Sequence, residues 1–148
     1  MSFSSSAKED LVKIRLKTRE QRLAQLAGLV HTCGALTIGR SRGAAFTSET
    51  LAVGKHIVSL ATTLYELDPT IELSERERRR PLTVVTLTGD EVEHLLGDVG
   101  LLYLEQGDYR IGETVPETLL SDEEGKRAFL RGAFLGSGSC SNPYRGYH

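Results

Sequence analysis

Three observations predict an α+β fold with one four-stranded antiparallel sheet covered by helices on one face. Apolar residues recur at helical spacing in three separated stretches, 22–33, 49–67 and 88–99. Between them, 35–47 and 70–88 switch to a period of two, and each is interrupted by turn or charged residues, so each reads as a hairpin. At 148 residues, with 39% hydrophobic and 26% charged, the chain can close one core. The order helix, hairpin, helix, hairpin, helix makes the strands neighbours and leaves the helices to cover them.

The elements follow in order. Ser6 and Glu9 have capping-box spacing ahead of a thin apolar stripe, Leu11, Ile14 and Leu16, which predicts a helix running with a small break into 22–33. In 22–33 the residues Leu23, Leu26, Ala27 and Val30 mark a buried face. Ala35 to Ile38, a turn over 39–43, and Ala44 to Thr47 form the first hairpin. Ser48 can cap the helix 49–67, whose stripe is Val53, Ile57, Leu60, Ala61 and Leu64 and which Asp68-Pro69 stops. Strands 70–74 and 82–88 flank a charged connection, and Thr88 with Glu91 opens a third helix. Gly107, Gly112 and Pro116 predict irregular chain over 100–120, with a short strand at 101–104. Ser121 and Glu124 then cap a last helix.

Two stretches 104 residues apart share a pattern: Leu26-Ala-Gly-Leu-Val-His-Thr-Cys-Gly34 and Leu130-Arg-Gly-Ala-Phe-Leu-Gly-Ser-Gly138. In register they have Leu first, Gly third and Gly ninth, with small residues placed to let two helix backbones approach. The predicted contact runs through Ala27, Gly28, Gly132 and Ala133. The first stretch resembles the LAGLIDADG motif of homing endonucleases. That resemblance implies two motif helices packed at a pseudo-two-fold axis, with an acidic eighth residue on each holding Mg²⁺ over DNA. Here the eighth positions are Cys33 and Ser137. A thiol and a hydroxyl are poor ligands for a hard cation, so they are degenerate metal positions and neither a metal nor a cofactor is expected. A metal-dependent homing-type endonuclease is therefore the second reading, and a non-enzymatic scaffold the first.

Further stretches resemble the N-terminal part of the WhiA family of transcription regulators of cell division and sporulation. They are Met1 to Ser5 with Lys8 and Glu9; Arg22 to Ala27; Thr47 to Glu49; Lys126 to Leu135; and Gly138 to Pro143 running on to Tyr147 and His148. The resemblance implies a degenerate LAGLIDADG half-domain over residues 1–125 and the start of a second, truncated repeat over 126–148. It also implies association with DNA, a helix-turn-helix domain farther along, and in some members an iron–sulfur WhiB-like protein partner. The chain ends as a strand begins, which is expected of a piece of a protein about twice as long.

Charge is segregated. Residues 1–88 hold 13 Lys/Arg against 9 Asp/Glu, and residues 89–148 hold 5 against 11. Only the first part offers an electrostatic face to nucleic acid. The candidate DNA-contacting side chains are Arg76, Arg78, Arg79 and Arg80 between the second pair of strands, with Arg40 and Arg42 between the first. The open sheet face, read as Thr37, Thr47, Glu72, Ser74, Thr83 and Thr86, lacks the basic and amide groups that read base edges, so DNA contact is expected to be weak and non-specific. Self-association through the apolar face of a half-domain is a further expectation. His31, without a second ligand at metal spacing, reads as a packing or capping residue, and the two cysteines, 107 residues apart, suggest no disulfide framework. The absence of a long apolar run or signal core predicts a cytoplasmic protein without membrane contact.

Overall fold

The structure is a computed structural model that describes residues 3–37 and 43–137. Helix α1 (Phe3–Leu11) precedes α2 (Arg19–Cys33), which passes directly into β1 (Gly34–Thr37). Strand β2 (Gly43–Ser48), helix α3 (Leu51–Tyr65), strands β3 (Thr70–Arg76) and β4 (Arg79–Thr88) and helix α4 (Glu91–Asp98) follow. A small hairpin, β5 (Leu102–Glu105) and β6 (Asp108–Ile111), and a 3₁₀ turn (Glu117–Leu120) lead to α5 (Glu123–Ser137).

The four main strands form one antiparallel sheet in the order β1-β2-β4-β3. Burial alternates along β4: Thr83, Val85 and Leu87 are buried beneath the helices, while Leu82, Val84 and Thr86 lie on the open face. The register carries Ser48, Phe46 and Ala44 of β2 onto the same buried side. Leu26, Leu29 and Val30 of α2, Val53 and Ile57 of α3, and Leu95 and Leu96 of α4 complete this core. Each such side chain, fully buried, contributes about 1.5–3 kcal/mol. Cover fails at the β3 edge, where Ile71 and Leu73 sit on the helix side yet are 39% and 57% exposed.

Several local expectations are corrected. Helix α1 begins before Ser6 and ends at Leu11, so Ser6 is not a cap and Ile14 and Leu16 are not helical. The break before α2 spans residues 12–18, and the cap of α2 is Thr18, whose hydroxyl accepts from Gln21 N–H at 3.1 Å. Ser48 stays in β2 and accepts from Thr50 N–H at 3.0 Å, which places the start of α3 two residues later. The end of α3 comes at Tyr65, with Glu66 in the left-handed conformation (φ 54°), ahead of Asp68-Pro69. At α4 the cap position is Asp90 rather than Thr88, and at α5 Asp122, not Ser121, accepts from Gly125 N–H at 2.7 Å. The charged connection of the second hairpin shrinks to Glu77-Arg78, because β3 and β4 extend to Arg76 and Arg79. Thr83 is buried on the helix side, so it does not belong to the open face. Strand β6 replaces expected irregular chain: Gln106 (φ 52°) and Gly107 (φ 84°) make a two-residue turn with positive φ at both positions, which matches strand twist.

Candidate nucleic-acid interface

The two motif helices meet backbone to backbone. A Cβ on Gly28 would overlap the carbonyl of Phe129 and the main chain at Gly132 and Ala133, and one on Gly132 would overlap the carbonyl of Gln25. Gly136 closes the seam against the Thr32 side chain. Ala27 is fully buried in the core, and Ala133, whose backbone nitrogen lies against Gly28, is half-buried. Only hydrogen fits at positions 28 and 132, which is why the shared third glycine of the two stretches lies where it does.

The eighth positions sit at the C-terminal ends of both helices. Burial pushes the Cys33 thiol up to about 11, against the lowering effects of the nearby Lys8 ammonium and a backbone hydrogen bond from Thr47. It is therefore a neutral thiol at physiological pH. The Ser137 hydroxyl donates back to the Ala133 carbonyl at 3.3 Å. Mg²⁺ requires anionic or carbonyl oxygens, so these residues do not fit the ion that the fold family implies. Among the described residues, no three His, Cys, Asp or Glu gather in a way that could hold a metal. His31 Nε2 meets the Val99 carbonyl at 2.8 Å and ties α2 to the end of α4.

The arginines divide by what they touch. Arg76 is half-buried, paired with Glu49 at 3.1 Å, and donates to the Arg80 carbonyl at 2.9 Å. Arg80 is exposed and reaches the Ser5 hydroxyl of α1 at 3.4 Å, next to Thr50. Arg78 occupies the turn with a left-handed φ of 59°, and it and Arg79 are exposed. Arg40 and Arg42 lie outside the described residues. The hairpin tip thus presents Arg78 and Arg79 outward and holds Arg76 inward as a brace to the start of α3.

The open sheet face carries Ala35, Ala45, Thr47, Leu82, Val84 and Thr86, with Thr70, Glu72 and Ser74 on the β3 edge. None of these is cationic, so the middle of this face lacks the charged donors that grip phosphates; Arg76, on the same face as Ser74 by register, is engaged by Glu49 at its end. A second basic group went unrecognised in the sequence: Lys13, Arg15, Lys17 and Arg19 are all exposed. They lie where only a small break between two helices is expected, and the break in fact spans residues 12–18. At the other end of the helical layer, an open cleft of about 780 Å³ is lined by Arg19, Tyr65, Glu91, His94 and Asp98. There Tyr65 donates to Asp98 at 2.6 Å, and burial followed by that carboxylate raises its pKa, so it is no nucleophile.

Comparison with known proteins places this arrangement. A family model described as the WhiA LAGLIDADG-like domain matches residues 126–148. A probable cell division protein WhiA of Thermoanaerobacter sp. (strain X514) is 33% identical over 153 residues, which cover 100% of this chain and 48% of the relative. The one of Pediococcus pentosaceus is 36% identical over 149 residues, covering 97% and 46%. The chain spans about half the length of the curated relatives it matches. Among solved structures, the N-terminal LAGLIDADG domain of WhiA superposes with a TM-score of 0.70 at 22% identity, covering 99% of this chain and 63% of that one. Full-length WhiA from Thermatoga maritima gives 0.68 at 22% identity, over 99% and 43%. Over its whole length the chain matches the N-terminal part of WhiA proteins, and its fold is that of the N-terminal LAGLIDADG-like domain of WhiA.

Proposed function

We propose that this chain is a non-enzymatic, DNA-associated scaffold from a regulator of cell division. One observation carries the reading: the glycine seam that builds the LAGLIDADG core is retained, while both eighth positions hold uncharged side chains. Selection for packing without selection for carboxylates fits a scaffold and not a nuclease. In this reading residues 1–125 are a first half-domain and 126–148 open a second repeat. The names of the relatives support cell division as the process. A WhiB-like regulatory protein or a second copy of the chain are the protein partners it would accommodate.

DNA contact in this reading is made to phosphates, through Arg78 and Arg79 with Arg80 and with Arg40 and Arg42 in support. The affinity for duplex is expected in the non-specific range of about 10⁻⁴–10⁻⁶ M, steeply salt-dependent. Replacing Arg78, Arg79 and Arg80 by Gln should weaken binding uniformly across sequences. Tight, sequence-selective binding by this chain at physiological salt would contradict the assignment. The enzymatic alternative is tested by incubating supercoiled plasmid with the purified chain and Mg²⁺ or Mn²⁺. No nicking is expected; nicking that Cys33→Ala abolishes would establish a nuclease.

A further inference from the structure

We propose that Lys13, Arg15 and Lys17 form a second, preformed phosphate-contact strip, at the end of α3 opposite the arginine hairpin. The segment 12–18 is not helical, yet it is not loose. Leu16 is 6% exposed and anchored in the core, its carbonyl accepts from the Arg22 guanidinium at 3.2 Å, and Lys17 N–H donates to Gln21 Oε1 at 2.9 Å. Thr18 then caps α2 in an extended conformation. Leu16 is turned inward, and Arg15 and Lys17 on either side of it are exposed. Their backbone is fixed before any partner arrives, so little ordering entropy is lost on binding.

Charge balance sets this strip apart from the cations that carboxylates neutralise. Arg76 is paired with Glu49, Lys126 with Glu123 and Arg127 with Glu124. No carboxylate pairs with Lys13, Arg15 or Lys17 among the described residues, and residues 13–19 contain no acid at all. The cations line an open strip and do not converge on a cup, which suits a continuous polyanion better than a single small anion. The place is also informative. Arg76 reaches Glu49 just before α3, and Arg19 stacks over the Tyr65 ring, 5.7 Å from its centroid, at the end of α3. The 15 residues of α3 put about 22 Å between the Arg76 contact and the Arg19 contact, and the strip runs into Arg19 through Thr18. A duplex can touch both along the helical flank, whereas the middle of the open sheet face offers it no cation.

The proposal rests on the DNA-association reading, and the test separates the two. Binding of the full chain to a random-sequence duplex is followed by fluorescence anisotropy from about 50 to 200 mM salt. The variants are Lys13→Gln/Arg15→Gln/Lys17→Gln and Arg78→Gln/Arg79→Gln. The strip variant should lose about 0.9 of log–log salt slope per phosphate contact removed, a drop of about two to three, with its melting curve unchanged. Combining the two sets should reduce binding further than either alone. If the parent binds duplex and the strip variant binds with the same slope, the strip is refuted and the DNA reading stands. A parent that shows no salt-dependent duplex binding refutes both. If poly-glutamate competes with duplex on the parent but not on the strip variant, and duplex binding itself survives the substitution, the partner is an acidic polypeptide and the phosphate assignment is wrong.

Discussion

Leu26 and Leu130 occupy the same position of two similar stretches and live in different surroundings. Leu26 is fully buried, as are Leu23 through Val30 without interruption. Leu130 is 66% exposed, and on α5 only Gly125, Ala128, Gly132 and Leu135 are buried. The glycines behave alike, each against the other helix's backbone. A motif therefore specifies the contact its own residues make across the seam, and the elements lying on the far side decide the rest. For α2 that far side is a complete sheet. For α5 no comparable layer exists among the described residues.

The sharpest test of this contrast is a matched pair of truncations. Leu26→Ala should destabilise by about 2–5 kcal/mol, since a buried leucine leaves both lost transfer energy and a cavity. Leu130→Ala should stay within about 0.5 kcal/mol. Urea denaturation of both variants checks the difference; equal losses would mean that α5 is covered as fully as α2. The symmetric half of the contrast is probed by overpacking. Gly28→Leu must push apart two backbones already in contact and should cost about 1–3 kcal/mol. A variant that melts like the parent would place the seam elsewhere.

A smaller effect concerns the residues just before the two leucines, Gln25 and Phe129. Gln25 is 1% exposed, and its Oε1 meets Nε2 of His56 on α3. Burial lowers the His56 pKa below its ordinary 6.5, so the folded chain holds it neutral while the unfolded chain binds a proton. The stability this leaves is full above about 6.5 and declines as pH falls below it. His94 acts with the opposite sign, its pKa raised by Glu91, but it is exposed and contributes little. Denaturation midpoints at pH 7.5 and 5.5, in the parent and in His56→Gln, isolate the term: the parent should lose stability on acidification and the variant should lose less.

The fold was legible where period and turn chemistry agree. Both hairpins and the helices at 22–33 and 49–67 needed only the alternation around Phe46 and Val85 and the stripe from Val53 to Leu64. Caps were less legible: of Ser6, Ser48, Thr88 and Ser121, only Ser121 yields to a capping neighbour, Asp122, while Thr50 and Asp90 at the starts of α3 and α4 make no side-chain cap bond. Thr18 and Asp122 won through geometry that no one-dimensional pattern contains. Thr83 was placed on the wrong side because a hydroxyl suggests a wet face, yet its methyl packs beneath Gly54 of α3. For the candidate interface, the sequence supplied the arginines but not their division into the brace Arg76 and the outward Arg78 and Arg79. Pairing with Glu49, 27 residues away, is a tertiary fact. The basic strip lies in a break that the pattern of Leu11, Ile14 and Leu16 makes look shorter than it is.

The junction of α2 and β1 has a mechanical consequence. Cys33 is the last residue of the helix and Gly34 the first of the strand, and Gly34 N–H still donates to the Val30 carbonyl. No loop residue lies between them to absorb a displacement. Helix and strand are one lever with its fulcrum at the glycine seam, so a tilt applied to α2 through α5 must appear as a shift of the β1 edge. A partner that bears on α5 can thereby be felt at the sheet without touching it.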